Sequence, residues 1–257
     1  MKKLMILLLC GYAVLSHASD EKIVKEFTVD DIPSLSLSNV AGDITIHRGE
    51  DRTVLIHAIN PNPEVEVTMR QDGRKITVKT KYPRHSRNIH KGVTFEIWLP
   101  ATSEMEINTV SGDFEMKEIA GDISINTVSG DIDITQCSGD LDLNTVSGDI
   151  EIRELGNCDF EANAVSGDIL LSEISLQKGD YELNTTSGDI QIIHGKTASY
   201  TISGQSVSGD MDVDGIQGVR VKKAKYSGMR SVNGTYQGGE ADLDINSVSG
   251  DLSISLK

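Results

Sequence analysis

Aromatic residues, prolines and cysteines are all scarce in this sequence. Aromatic residues make up 4% of the 257 residues, and the chain has 5 prolines and 3 cysteines. A conventional globular core built on large aromatic side chains is therefore excluded. A disordered chain does not fit either, because apolar residues recur in regular patterns along the sequence. The fold must be held together by something other than a bulky core.

Long apolar runs are missing beyond the N-terminus. Residues 1–18 are typical of a signal peptide, because two lysines precede the apolar run of residues 4–15 and Ser16-His17-Ala18 supplies small residues at the cleavage positions. No later stretch approaches the roughly 20 apolar residues that a spanning helix needs. Cys10 follows Leu9, where a lipobox has a small residue, which argues against lipidation. We expect an exported chain, periplasmic or extracellular, without a transmembrane segment.

Basic residues are few compared with acidic ones. The chain has 24 Lys+Arg against 39 Asp+Glu, and removal of the leader takes away Lys2 and Lys3 and leaves a net charge of −17. So acidic a surface argues against nucleic acid and against anionic lipid as partners.

One phrase, Asn-Thr-Val-Ser-Gly-Asp and its close variants, recurs from residue 108 onward. The glycines of its copies are 18, 18, 19, 21, 21 and 41 residues apart, and repetition at this period predicts a solenoid. We expect each Ser-Gly-Asp to form a corner, in which glycine supplies positive φ and Ser and Asp hydrogen-bond the turn. The predicted structural corner residues are Ser111, Gly112, Asp113, Ser129, Gly130, Asp131, Ser147, Gly148, Asp149, Ser166, Gly167, Asp168, Ser187, Gly188, Asp189, Ser208, Gly209, Asp210, Ser249, Gly250 and Asp251.

Two further patterns complete the predicted coil. Ser227-Gly228-Met229 divides the interval of 41 residues, which gives eight corners, and a weaker Gly-Asp series recurs at the half period, as at Gly121-Asp122 and Gly139-Asp140. Between corners, apolar and polar residues alternate with period two, as in half-buried strands. Each coil therefore has two strands and two corners. We predict a flattened cross-section filled by single rows of Ile, Leu and Val.

The sequence predicts an all-β chain, a single-chain β-solenoid of 18–22-residue coils with an irregular all-β N-terminal cap. Its predicted division is a signal peptide (1–18), a cap region (19–100) with Trp98 as the largest buried anchor, and the repeat region (101–257). A solenoid needs a cap to cover its first open edge. After the last coil, no separate C-terminal cap is visible.

Two rows of side chains inside the repeated phrase carry specific expectations. The Asn row, from Asn108 to Asn184, is expected to form a hydrogen-bonded ladder along the stack. The valine row is expected to be buried, although strict alternation from Ile107 would point it outward, so burial requires a bend near each Asn-Thr pair. The valines are Val110, Val128, Val146, Val165, Val207 and Val248.

Metal and catalytic sites are not predicted. Calcium-binding β-rolls share the 18-residue coil, but they use a Gly-Gly-x-Gly-x-Asp loop, whereas each corner here has one Gly and one Asp. Asp is therefore interpreted as turn chemistry, and so is the repeated Ser, because no copy has a neighbouring His. His85 and His90 lack a clear third ligand. We predict no catalytic residues, no cofactor and no metal.

Cys137 and Cys158, the cysteines left after leader removal, are a candidate disulfide. They lie near the weaker corner in consecutive coils, which are about 4.8 Å apart, within the range that a disulfide can bridge. Their two-residue offset leaves the alternative open, in which both are separate buried thiols.

The phrase Thr-Val-Ser-Gly-Asp-Ile, repeated behind a strand-rich region that ends in Trp98-Leu99-Pro100, resembles the bacterial putative-adhesin family of β-strand-repeat proteins of unknown function. The resemblance covers roughly residues 25–257. It implies a β-solenoid in or outside the bacterial envelope, and no established activity.

Two functions are compatible with these patterns. An exported, non-enzymatic, adhesin-like binding or structural module fits the regular coils and the lack of a convergent catalytic set; its partners would be an envelope protein, a glycan or copies of itself. The alternative is a glycan-active β-helix enzyme, a polysaccharide lyase or hydrolase, which requires a groove where carboxylates meet Arg or Lys. The basic concentrations, residues 79–91 and 220–230, lie far apart in the coil order.

Overall fold

The structure, a computed structural model, describes residues 21–83, 92–213, 215–224 and 229–257. The predicted leader, His85 and His90 lie outside these residues. No helix in those ranges is long and apolar enough to cross a membrane. The strands are β1 (Glu21–Thr28), β2 (Ser34–Ser38), β3 (Ile44–Arg48), β4 (Thr53–Asn60), β5 (Glu66–Asp72), β6 (Lys75–Lys81), β7 (Thr94–Leu99), β8 (Glu104–Asn108), β9 (Phe114–Lys117), β10 (Ile123–Ser129), β11 (Ile132–Thr135), β12 (Leu141–Ser147), β13 (Ile150–Arg153), β14 (Phe160–Ser166), β15 (Ile169–Ile174), β16 (Gly179–Ser187), β17 (Ile190–His194), β18 (Tyr200–Ser208), β19 (Met211–Asp212), β20 (Val219–Lys223), β21 (Arg230–Tyr236), β22 (Ala241–Ser249) and β23 (Leu252–Leu256).

The strands form two sheets that face each other. The 11-stranded sheet has the order β1-β4-β7-β3-β9-β11-β13-β15-β17-β23-β19, and the 12-stranded sheet has the order β20-β21-β18-β22-β16-β14-β12-β10-β8-β2-β6-β5. Each Ser-Gly-Asp corner takes the chain from the 12-stranded sheet to the 11-stranded one, as between β10 and β11. Two strands and two corners per coil are therefore confirmed, and so is the β-solenoid.

Parallel pairing in register places equivalent residues of successive coils in columns. Ile123 pairs with Leu141, which pairs with Phe160, and all three are buried. The interior between the sheets is filled by such apolar columns, mostly Ile and Leu, with some Phe, Tyr and Ala. This core needs few aromatic residues because the two sheets are joined through short side chains.

Coils of the same stack already form before residue 100. Strands β2 and β3 pair in parallel with β8 and β9, and β6 and β7 pair with the other sides of β2 and β3. Both sheets thus run across residue 100; the predicted division there stays a prediction. Trp98 as the largest buried anchor is wrong, because it points outward and is only partly buried, between His47 and His57. Phe95 and Phe114 are the large buried side chains in that part of the stack.

The last coil in the sequence is not the last coil in the stack. Strand β22 pairs in parallel with β16 on one side and with β18 on the other, so the coil β22–β23 lies between two coils that precede it in the chain. Ser227 and Gly228, predicted to form a further corner with Met229, lie outside the described residues. Strands β20 and β21 on either side of them are antiparallel, and the Ala224 N–H donates to the Met229 carbonyl.

Antiparallel strands cover both ends of the stack. At the N-terminal end, β4 and β1 follow β7 in one sheet and β5 follows β6 in the other. At the opposite end, β21 and β20 follow β18. A C-terminal cap therefore exists, although it comes from residues before the last coil. The sequence after the last coil does not predict this cap, because the last strands β22 and β23 pair on both sides and lie within the sheets.

Candidate functional site

The outward face of the 12-stranded sheet carries four columns of like side chains. Its strands β8, β10, β12, β14, β16, β22 and β18 follow strict alternation, so residues i, i+2, i+4 and i+6 point outward together. In the coil of β12 these are Asp140, Asp142, Asn144 and Val146. We call this surface the column face.

The valine column is exposed, so its predicted burial is wrong. Strand β10 continues without a bend through Ser129, which sends Thr127 into the interior and Val128 outward. The six valines are 47 to 51% exposed, and Thr186 occupies the same position in the remaining coil. At about 4.8 Å per coil, the seven positions form a stripe about 29 Å long.

The asparagine column is a continuous amide ladder, as predicted. Each Nδ2 donates to the Oδ1 of the preceding coil at 2.9 to 3.3 Å, from Asn126→Asn108 through Asn246→Asn184. In the coils of Asn144, Asn163 and Asn184 the same Nδ2 also donates to the carboxylate two residues earlier. These amides are therefore engaged within the protein and hold the columns in register.

Two acidic columns lie beyond the amide ladder. The strand pairing aligns Glu104, Asp122, Asp140, Asp159, Asp180 and Asp242 in one column and Glu106, Asp142, Glu161, Glu182 and Asp244, with Ser124 among them, in the other. Neighbouring like charges at about 4.8 Å repel by roughly 1 kcal/mol per pair even in water. An open groove of about 630 Å³ follows these acids, and another of about 770 Å³ follows the Asn and Val columns.

The Ser-Gly-Asp corners stack on one another along the edge next to the valine column. Each Asp N–H donates to the Oδ1 of the Asp in the neighbouring coil at 2.7 to 3.1 Å, from Asp43 to Asp210. Gly42 and Asp43 form the first corner of this row and are not among the predicted corner residues. Their signal, Asn39-Val-Ala-Gly-Asp43, was visible as a copy of the phrase shortened by one residue.

Glycine is needed at these corners for close approach, and positive φ is not the general reason. Among the predicted corner glycines, φ lies in the positive region at Gly112 and Gly130 only. A Cβ on Gly148 would lie 2.1 Å from the Gly130 carbonyl oxygen, and one on Gly167 would lie 1.9 Å from that of Gly148. The carbonyl of each corner glycine thus occupies the space that a side chain would need.

Among the described residues, basic side chains meet the acidic columns at the N-terminal end of the face, where Arg74 Nη1 lies 2.8 Å from Glu104 Oε2 and Lys75 lines the same groove. Lys79 and Lys81 belong to β6, whereas Arg220 and Lys222 belong to β20, at opposite ends of the 12-stranded sheet. Arg153, on the 11-stranded sheet, pairs with Asp133 and Glu151 at 3.3 and 2.8 Å. Within the described ranges, no three His, Cys, Asp or Glu side chains are grouped to hold a metal ion.

The candidate disulfide is not formed in the structure. Cys137 and Cys158 are free buried thiols, because the two-residue offset persists. The pairing of Leu141 with Phe160 places Cys158 beside Gly139, two residues beyond Cys137. Burial raises the pKa of both thiols, that of Cys158 to about 12.

A buried histidine, His194, lies in β17 and carries no signal in the repeat pattern. The His194 Nδ1 is 2.9 Å from the Gly195 carbonyl and its Nε2 is 2.9 Å from the Tyr200 hydroxyl. A neutral ring that donates from Nδ1 and accepts at Nε2 satisfies both contacts. Burial lowers the pKa of His194, and burial also raises the pKa of Tyr200, so that its hydroxyl stays protonated.

Comparison with known proteins identifies the family. The profile of the Toastrack DUF4097 family matches residues 32–141 and 101–255, which together span most of the chain. The chain belongs to this family. None of the curated proteins matches it significantly.

Solved structures of similar proteins come from bacteria of the genera Clostridium, Bacteroides and Parabacteroides. A putative cell adhesion protein from Clostridium sporogenes is 13% identical, with 93% of this chain and 100% of that chain covered and a TM-score of 0.41. A putative adhesin from Bacteroides fragilis is 13% identical, with 93% and 99% covered and a TM-score of 0.44. A putative adhesin from Parabacteroides distasonis is 13% identical, with 90% and 96% covered and a TM-score of 0.38.

Proposed function

We propose that this Toastrack DUF4097 protein is an exported, non-enzymatic binding module of the bacterial cell envelope, and that the column face contacts its partner. The observation that carries the proposal is the column of six half-exposed valines on a regular sheet. Contiguous exposed apolar surface of this kind is typical of interaction sites, whereas single exposed apolar residues are ordinary.

The valine position is not explained by the folding of the coil. Its side chain is half exposed, and Thr186 at the same position in one coil indicates that a polar residue of similar shape is compatible with the strand. The chain nevertheless repeats valine in the other six coils. A surface position that is free to be polar and is repeatedly apolar supports a role in contact with another molecule.

A glycan-active enzyme is less well supported. A hydrolase needs two carboxylates in unlike environments, one as general acid and one as nucleophile or general base, and the lyase considered above would add an Arg or Lys. On strands β10, β12, β14, β16 and β22 the outward positions carry acids, amides, hydroxyls and valines, with no Lys or Arg. The acids of this face are also arranged as uniform columns, which do not single out one general acid and one general base.

The proposal can be tested with mature protein, residues 19–257, and envelope fractions of the source bacterium. Val128→Thr, Val146→Thr and Val165→Thr together should reduce cosedimentation about tenfold, equivalent to about 1.4 kcal/mol. Thr preserves β-branching, so the far-ultraviolet spectrum should not change.

The matched control removes exposed apolar side chains elsewhere. Val24 and Ile32 are 52% and 44% exposed and lie outside the valine column, in β1 and just before β2, so Val24→Thr with Ile32→Thr should leave binding unchanged. Equal binding by the triple variant, or release of cleaved products from acidic glycans, would contradict the proposed function.

A further inference from the structure

The chemistry of the column face specifies what kind of partner it accepts. We propose that it binds a basic amphipathic helix of a partner protein, with the helix axis along the stack. The apolar stripe of that helix would contact the valine column, and its Lys and Arg side chains would reach the acidic columns. This inference rests on the proposed function and adds the partner class to it.

The dimensions of the face fit a helix. The valine lies four positions after the nearer acid of the same strand, as Val165 does after Glu161 in β14. At 3.3 Å per residue, the valine column and this acidic column are about 13 Å apart. A helix with side chains is about 10–12 Å wide. A helix over the asparagine column would therefore contact valines on one flank and carboxylates on the other, and a stripe about 29 Å long matches about 19 helical residues.

The charges of the face indicate a cationic partner. The acidic columns hold six and five carboxylates. Arg74 pairs with Glu104 at one end of the face, and no Lys or Arg stands at an outward position of β10, β12, β14, β16 or β22. Repulsion of roughly 1 kcal/mol per neighbouring pair would be relieved by Lys and Arg of a partner. A second copy of this chain would bring the same acids and increase the repulsion.

The amide ladder argues for a helix and against a sugar. Aromatic faces and amide groups with a free N–H are two kinds of contact that a sugar can use. Here Asn144, Asn163 and Asn184 already donate to the preceding amide and to their own strand's carboxylate. No aromatic side chain stands at an outward position of β10, β12, β14, β16 or β22. Valines and carboxylates are therefore the groups left to make contacts.

The test uses a fluorescent 19-residue Leu/Lys peptide designed with an apolar stripe beside a basic stripe. Binding to the mature protein is measured by anisotropy, together with a scrambled peptide of the same composition and a Leu/Glu analogue. We expect the Leu/Lys helix to bind at least about tenfold more tightly than the scrambled peptide, a difference of about 1.4 kcal/mol. Binding should weaken between about 0.05 and 0.5 M salt because exposed charges are screened.

Two sets of substitutions separate the contributions of the columns. Asp142→Asn, Glu161→Gln and Glu182→Gln keep the oxygen that accepts from the amide ladder, and they should weaken peptide binding about tenfold and flatten its salt dependence. The triple Val→Thr variant should weaken it about tenfold without changing the salt dependence.

The charge-matched control neutralises three exposed acids of the 11-stranded sheet. Glu26→Gln, Glu115→Gln and Asp212→Asn change the net charge equally but lie in β1, β9 and β19, so peptide binding should stay unchanged. Equal binding of the scrambled peptide, an equal loss in this control, or no binding of any peptide would overturn the helix assignment. The proposed function would survive that result if the Val→Thr variant still lost cosedimentation with envelopes, so the two failures are distinguishable.

Discussion

Replacement of Gly148 by alanine tests whether the corners stack as closely as the structure indicates. The new Cβ would lie 2.1 Å from the Gly130 oxygen, so the two coils must separate locally by about 1 Å to reach an ordinary contact. Three hydrogen bonds join these two coils at the corner and would be stretched: Gly130 N–H to Ser147 O at 3.2 Å, Asp149 N–H to Asp131 Oδ1 at 2.8 Å, and Ile132 N–H to Asp149 O at 2.8 Å. At about 1 kcal/mol for each bond, the substitution should cost about 3 kcal/mol.

The loss should appear in equilibrium unfolding followed by far-ultraviolet circular dichroism. For a chain of this size, about 3 kcal/mol corresponds to a fall in Tm of about 6–12 °C. Gly195→Ala is the matched control, because the nearest atom to its Cβ is 4.0 Å away and its φ is not positive; it should be neutral or slightly stabilising, by up to about 1 kcal/mol. If Gly148→Ala unfolded within about 0.5 kcal/mol of the control, the close-stacking argument would be refuted.

Four further predictions follow from the corner, the histidine and the topology. Asp149→Asn keeps the acceptor for the Asp168 N–H and removes like-charge repulsion, so this variant should be at least as stable as the native protein. Asp149→Ala loses the acceptor and should be about 1 kcal/mol less stable in urea titrations. An Asn variant less stable than the native protein would contradict this prediction. Calcium should not drive folding, so exhaustive chelation should leave the β-sheet spectrum and Tm unchanged, and a collapse of either would show that the Asp row is a metal site. The pKa of His194 is lowered in the folded protein, so the unfolded chain takes up a proton first as the pH falls below about 6.5. The free energy of unfolding should therefore decrease by up to about 1.4 kcal/mol per pH unit in that window. His194→Gln should remove this part of the pH dependence, and an unchanged pH dependence would refute a buried neutral His194. Amides of residues 241–249 should exchange as slowly as those of β14 in hydrogen–deuterium exchange, because β22 pairs on both sides, whereas fraying like an ordinary chain end would count against the inserted coil.

The structure of a single coil could be predicted from two local signals. The alternation of apolar and polar residues indicates which side chains of a strand are buried, and the repeat period indicates two strands per coil. The prediction for the valine column is wrong because it follows the apolar character of Val128, whereas the strand continues its alternation and buries Thr127 instead. The Trp98 error has the same origin, since its neighbours Ile97 and Leu99 hold the buried positions.

The order of the coils could not be predicted because the coils are nearly interchangeable. Strands β16, β18 and β22 all end in a corner phrase, and the Asp251 N–H donates to Asp189 just as the Asp210 N–H donates to Asp251, at 2.7 Å each. Any of the three could stack on either of the others with the same hydrogen bonds. Between β18 and β22 the chain forms β20 and β21, which pair antiparallel beside β18, whereas the repeat pattern predicted another coil there.

The ends of the stack bear on where a partner can bind. A parallel solenoid with open edges would template pairing with further copies, and natural sheets prevent this with charged or very short edge strands. Here the edge strand β1 carries Glu21, Lys22, Lys25 and Glu26, β20 carries a run of basic residues, and β19 has 2 residues. Edges of this kind disfavour end-to-end stacking of copies. The partner of the proposed function would then approach from the side, where the valine and acidic columns lie.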